Sequence, residues 1–210
     1  MTPFFSIIVV CLNPGKKLLQ TLQSIWKQEF RDYEVILKDG GSTDGSLQEV
    51  DLDQPGLRVV TKPDQGIYDA MNQAVEEAKG RFVFFLNCGD WFMDERVLAN
   101  MHDQIMAREQ TGAVQSAIYY GNVYERVTGQ LVSSNPKLNT FGCYRNAPCH
   151  QACFYERELL LQHPFELKYR VRADYEQFLW CFFEAKANPF YTGITVADYE
   201  GGGFSETKKN

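Results

Sequence analysis

The chain has no apolar run long enough to cross a bilayer: stretches such as Phe4 to Leu12 fall far short of the roughly 20 residues that a span requires. No basic segment leading into an apolar stretch opens it, so no secretion signal is read. Both absences predict a cytoplasmic protein. Lys and Arg number 21 against 27 Asp and Glu, a formal net charge of −6, and no basic cluster is dense enough to track a nucleic-acid backbone. Nucleic acid is therefore not an expected partner. The six cysteines contain no C-x-x-C pair, and the group Cys143, Cys149, His150 and Cys153 lacks the paired spacing of a structural zinc site, so reduced thiols are expected. No Gly-Lys-Ser/Thr closes a phosphate loop, and no G-x-G-x-x-G follows the first apolar run. Repeats and low-complexity linkers are absent too. What remains is 210 residues, 44% hydrophobic and 14% aromatic, enough for one domain with one sizeable core.

The first half alternates strand-like and helix-like segments. Phe4 to Cys11 is almost unbroken apolar and β-branched, as in a strand buried on both faces of a parallel sheet. Asn13 and Pro14 then read as an N-cap and first helical residue, with Leu18, Leu22, Ile25 and Trp26 at helical spacing through Gln28. Tyr33 to Lys38 and Leu57 to Thr61 read as strands, with a short helix from Ser46 to about Val50 between them. The stripe Ile67, Ala70, Met71, Ala74, Val75, Ala78 predicts a helix with that face in the core, stopped by Gly80, and Arg81 to Leu86 is a fourth strand. Right-handed strand-helix units of this kind build a mostly parallel, doubly wound α/β sheet, which binds ligands beyond the carboxyl ends of its strands.

The second half is less regular. A helix is expected around Glu95 to Arg108 and a strand at Ala117 to Tyr120. A hairpin pairs Asn122 to Val127 with Gln130 to Ser133. A loop through Pro136 and Pro148 leads to a strand at Gln151 to Tyr155 and a short helix from Arg157. A last helix begins near Asp174, followed by a strand at Phe190 to Val196 and a Gly-rich tail.

Two strand-end loops carry chemistry. Asp39-Gly40-Gly41-Ser42-Thr43-Asp44-Gly45-Ser46 follows the second strand, and a carboxylate there, beside glycines that allow close backbone approach, suits a base or ribose. An ordinary Asp-Gly turn gives the same letters. Leu86-Asn87-Cys88-Gly89-Asp90-Trp91 follows the fourth strand, where Asp90 can bind Mg²⁺ or Mn²⁺ beside a diphosphate, or be a solvated turn residue. Asp174-Tyr175-Glu176-Gln177 has the spacing of a helix capping box.

In combination these motifs resemble the family 2 glycosyltransferases. The Asp39 to Ser46 loop, then Asp64-Gln65-Gly66-Ile67-Tyr68-Asp69-Ala70-Met71-Asn72, then Phe85 to Asp90 keep that family's order. His150-Gln151, Ala173-Asp174-Tyr175 and Glu200-Gly201-Gly202-Gly203-Phe204-Ser205 continue it. The resemblance implies a glycosyltransferase A-type fold, with a nucleotide-sugar-binding half (residues 1–93) and a smaller mixed acceptor-binding half (94–210). It implies inversion of the anomeric centre by direct displacement, with a nucleotide-sugar donor and a glycan or lipid-linked saccharide acceptor. The setting would be polysaccharide or glycolipid assembly, with peripheral contact at the inner membrane face. By the same resemblance Asp39 contacts the nucleoside, and Asp64, Gly66 and Asn72 help form its pocket. Asp90 holds the divalent cation, Asp174 is the general base, and His150 and Gln151 face the acceptor. Asn87 and Ala173 depart from the family, which often has Asp and Glu at those positions. The polymerising members' Gln-x-x-Arg-Trp motif is missing, which implies addition of one sugar. Two other classes share the features: a non-catalytic nucleotide-sugar-binding protein, and a nucleotidyltransferase using Lys16 or Lys17 on a triphosphate.

Overall fold

The computed structural model of the protein describes residues 2–112, 116–145 and 147–201; the end of the last motif, Gly202 to Ser205, lies outside the described residues. Its frame is a nine-stranded sheet. Four parallel strands form one side in the order β3 (Leu57–Thr61), β2 (Tyr33–Asp39), β1 (Phe5–Cys11) and β4 (Phe82–Phe85). The sheet then turns mixed. β8 (Cys153–Glu156) runs antiparallel to β4, β6 (Ala117–Glu125) antiparallel to β8, and β9 (Asn188–Tyr199) parallel to β6. The short strands β5 (Trp91–Phe92) and β7 (Gln130–Val132) pair with β9 and β6. The architecture is the expected α/β sheet, mostly parallel at the start of the chain and mixed at its end.

β1 is buried along its whole length because both faces are covered. Phe5, Ile7 and Val9 face one core, shared with Leu18, Leu22 and Ile25 of α1 (Lys17–Trp26) and Val97, Leu98, Met101 and Ile105 of α3 (Val97–Glu109). Ile8 and Val10 face the other, shared with α2 (Ile67–Glu77), α5 (Arg157–Gln162) and α6 (Ala173–Phe183). The three α1 residues are fully buried, and each such side chain contributes about 1.5–3 kcal/mol relative to exposure. This anchors α1 although no side chain caps its first turn.

Several expectations are corrected. Asn13 does not cap α1, which starts at Lys17; Asn13 is left-handed (φ 49°) and its side chain ties two loops together. Ile67 is not in the core: it is the first residue of α2 and 46% exposed, since the packed stripe begins only at Ala70. The segments on either side of Gly121 are one strand, β6. The glycine is there for clearance, because a Cβ would lie 2.1 Å from the Ile194 carbonyl oxygen of β9. The segment read as loop before Pro148 contains α4 (Thr140–Arg145). Asp174 is not an N-cap either. Arg172 occupies that position, left-handed at φ 68°, and makes no side-chain cap bond.

Candidate active site

The loops after β1 and β2 are stitched together at the nucleotide end. Asn13 N donates to Ser42 Oγ (2.8 Å), Thr43 N to Asn13 Oδ1 (2.8 Å), and Gly15 N to Asp44 Oδ2 (2.8 Å). Asp39, at the last position of β2, is only 2% exposed. Its carboxylate accepts from Gly41 N (3.1 Å), Ser42 N (3.0 Å) and Ser42 Oγ (2.5 Å), which bends the glycine loop over it. Beneath that loop Asp64 Oδ2 accepts from the fully buried Lys38 Nζ at 2.8 Å. Asp64 Oδ1 accepts from Gly66 N at 3.2 Å, and Gly66 has φ 134°, a backbone that glycine alone adopts freely. A Cβ on Gly40 would lie 2.8 Å from Asp64 Oδ2, so the glycine permits this close packing.

The loop after β4 is held by α1. Thr21, fully buried, donates through Oγ1 to Asp90 O (2.8 Å) and accepts from Gly89 N (2.9 Å). Gly89 needs its glycine for φ 105°. Asp90 is 6% exposed, and desolvation pushes its carboxyl up to about 6. Hydrogen bonds from Glu200 N (2.9 Å) and Gln151, and the charge of Arg126 3.8 Å away, oppose the rise. Arg126 is held by its ion pair to Asp198 (2.8 Å) and by lying 3.5 Å over the Trp91 ring. Beside Asp90, Asn87 Oδ1 is buried without a partner. A preformed cluster of three or more acidic, His or Cys ligands does not occur among the described residues. One buried carboxylate and one orphaned carbonyl oxygen do fit Mg²⁺ or Mn²⁺, hard cations that take one or two protein oxygens and complete their shell with phosphate and water. The raised Asp90 carboxyl fits as well, since a cation would favour its ionised form.

Asp174 comes from the other half of the chain. It lies in the first turn of α6, where the helix dipole favours a carboxylate, and its Oδ1 accepts from Tyr68 Oη of α2 at 2.8 Å. Burial and the Asp174 charge push the Tyr68 phenol up, so Tyr68 stays a donor. His150 opens a half-buried turn that lines the same cleft as both aspartates, its Nε2 accepting from Asn87 Nδ2 (3.2 Å) and its Nδ1 buried without a partner. Burial pulls its pKa down and the Asp174 charge opposes this, so the ring is neutral at pH 7.

One cleft of about 650 Å³ is lined by Asn87, Asp90, His150, Gln151, Asp174 and Tyr68. The fold thus gathers the expected metal, acceptor and base positions on one wall. Asp39, Asp64 and Gly66 build the loops beyond the ends of β2 and β3. Asn72 is turned elsewhere. Its amide clamps the Phe165 backbone, donating to Phe165 O (2.9 Å) and accepting from Phe165 N (2.8 Å), so it supports the wall under Tyr68. The cysteine group is likewise engaged locally, Cys149 Sγ with Gln151 Oε1 (2.7 Å) and Cys153 Sγ with Cys149 O (3.3 Å). Sequence reasoning missed Arg126 beside Asp90, and named Glu200 in the last motif without giving it a role there. Arg126 reaches Asp90 from the far end of β6, and no local pattern marks it.

Comparison with known proteins bears on this cleft. Residues 6–161 match the profile described as "Glycosyl transferase family 2". A Mycobacterium bovis protein named "PGL/p-HBAD biosynthesis glycosyltransferase" is 37% identical over 98% of this chain and 80% of its own length. A Streptococcus pneumoniae protein, "Glycosyltransferase GlyG", is 28% identical over 62% of this chain and 46% of its own. Among solved structures, S. aureus TarS residues 1–349 in complex with UDP-GlcNAc superposes with a TM-score of 0.74 over 93% of this chain at 22% identity. This chain spans 58% of that one. The mannosyltransferase PcManGT from Pyrobaculum calidifontis, in complex with GDP-Man and Mn²⁺, gives a TM-score of 0.67 over 93% of this chain and 56% of its own at 18% identity. Both structural likenesses establish the fold.

Proposed function

The chain belongs to glycosyl transferase family 2, and from that premise we propose that it moves one sugar from a nucleotide-sugar donor to an acceptor hydroxyl with inversion. The observation that carries this reading is the convergence of Asp90 and Asp174, which come from opposite halves of the chain, on one cleft. The nucleoside lies over the Asp39 to Ser42 loop, with Asp64 and Gly66 shaping the floor and Asn72 holding the adjoining wall through Phe165. The diphosphate lies at Asp90, where Asp90 and the Asn87 carbonyl oxygen would hold Mn²⁺ or Mg²⁺. When bound, the cation neutralises charge developing on the diphosphate as the glycosidic bond breaks. PcManGT binds Mn²⁺ in its own structure, a parallel that supports this use.

Asp174 then accepts the proton of the acceptor hydroxyl. The hydroxyl oxygen bonds to the anomeric carbon as the bond to the diphosphate breaks on the opposite face, so one displacement inverts the centre. Tyr68 orients the base by donating a hydrogen bond to its Oδ1. His150 and Gln151 flank the attacking sugar, where a neutral imidazole adds no charge beside the base. The name of the Mycobacterium bovis relative supports a glycolipid acceptor. Among the described residues no helix is long and apolar enough to cross a membrane.

The reading is tested by incubating the chain with UDP- and GDP-sugars, acceptor glycolipids and Mn²⁺, and measuring free nucleoside diphosphate. Release that needs Mn²⁺ and Asp90 is expected. Nucleotide binding without release would favour the non-catalytic class, and pyrophosphate release the nucleotidyltransferase.

A further inference from the structure

We propose that the acceptor carries a phosphate group, held by Arg145, Arg170 and Arg172 at the mouth of the cleft, an inference that rests on the transferase reading of that site. The distribution of arginine partners carries it. Arg58, Arg81, Arg96, Arg126 and Arg157 each pair with a carboxylate. Arg31 donates to the Trp26 carbonyl and Arg108 covers the Phe190 ring. Arg145, Arg170 and Arg172 have no side-chain partner among the described residues, and all three line the same cleft. In a chain of net charge −6, where carboxylates outnumber basic residues, three unpaired guanidinium groups on one rim are not a random remainder.

Placement assigns them to the acceptor rather than the donor. Arg170 and Arg172 lie four and two residues before the base Asp174, and Arg145 ends α4, so all three belong to the second half of the chain. The cation site at Asp90 and the glycine loops after β1 and β2 lie on the first half. Arg172 is held left-handed, a conformation L side chains rarely adopt, at the N-cap position just before α6. Guanidinium forks match the tetrahedral oxygens of phosphate in a way that neutral sugar hydroxyls do not. A phosphate bound on this rim would set the attacking hydroxyl beside Asp174. That group could be borne by a sugar phosphate or by a lipid diphosphate saccharide, and the chemistry recognised is the same.

The test is a ³¹P NMR titration of the full chain with methyl phosphate, alone and in the presence of UDP, GDP and Mn²⁺. It is repeated on Arg145→Ala/Arg172→Ala, both exposed positions, with melting curves to confirm folding. Methyl phosphate should bind the wild type with or without nucleotide and weaken as salt is raised. Its affinity should fall at least tenfold in the double variant, while nucleotide affinity stays within threefold. Absence of binding to the wild type overturns the proposal. So does displacement of methyl phosphate by nucleotide, or a tenfold loss of nucleotide affinity in the variant, either of which gives the arginines to the donor diphosphate. Flotation with phosphatidylglycerol vesicles without methyl phosphate binding gives them to a membrane surface, and also overturns it. Methyl phosphate binding in a chain that releases no nucleoside diphosphate would instead sink only the transferase reading.

Discussion

Removing Asp64 should destabilise the fold as well as the pocket. Lys38 is fully buried one residue from the carboxyl end of β2, after the apolar run Val35 to Leu37. Its three ammonium protons have three acceptors: Lys62 O at 2.6 Å, Asp64 Oδ2 at 2.8 Å and Asp39 O at 3.2 Å. Asp64→Ala leaves both carbonyls but takes away the only carboxylate paired with that charge among the described residues. Stranding one member of a buried pair costs about 3–5 kcal/mol, and the two remaining carbonyls place the loss near 3. For a chain of this size about 3 kcal/mol corresponds to a fall in Tm of about 6–12 °C. Urea unfolding followed by circular dichroism, with a thermal scan alongside, measures it. Asp64→Leu combined with Lys38→Met should recover most of the loss, because neither charge is then stranded. If Asp64→Ala stayed within about 1 kcal/mol of the wild type, Lys38 would have to be neutral or reached by water, and the argument would fail.

Asp174→Asn should keep its Tm and nucleotide affinity, since an amide oxygen still accepts from Tyr68, while transfer falls about 10²- to 10⁴-fold for want of a base; near-normal transfer refutes the assignment. Mn²⁺-dependent nucleotide binding should be flat above pH 7 and weaken about tenfold per unit below about 6, because the raised Asp90 carboxyl takes up its proton there. The sign for stability is the reverse. A folded pKa above the usual 3.8 means that burying ionised Asp90 opposes folding in full above about pH 6, and the cost shrinks as pH falls from there and is gone below 3.8. Asp90→Asn should abolish both dependences, and a binding profile unchanged by it would remove Asp90 from the cation site. Gly121→Ala forces a Cβ against the Ile194 carbonyl between β6 and β9 and should cost about 3 kcal/mol or prevent folding; a melting temperature within about 2 °C of the wild type would contradict this.

The sequence by itself determined the elements whose causes are local. The apolar run of β1, the helical stripes of α1 and α2, and the aspartates at the end of β2 and in the loop after β4 follow from period and turn chemistry, and those aspartates marked the loops that build the site. The ordered motifs added the family and so the shape of the sheet. Only the tertiary structure decided what those residues touch. Asn13 looked like a cap because its neighbours fit one, yet it is held left-handed by Ser42 and Thr43, about thirty residues away. Asp174 had the spacing of a capping box, but its carboxylate answers to Tyr68, 106 residues earlier. Asn72 is turned from the cleft by its bonds to the Phe165 backbone, 93 residues later, while Ile67, ahead of the packed stripe of α2, is left at the cleft. Arg126, Arg145, Arg170 and Arg172 carry no local signal, since an arginine's role depends on which carboxylates the fold brings near it or withholds. Spacing records the conformational preference of a few adjacent residues, whereas a site is made by contacts across the sheet whose partners are set only when the whole core closes.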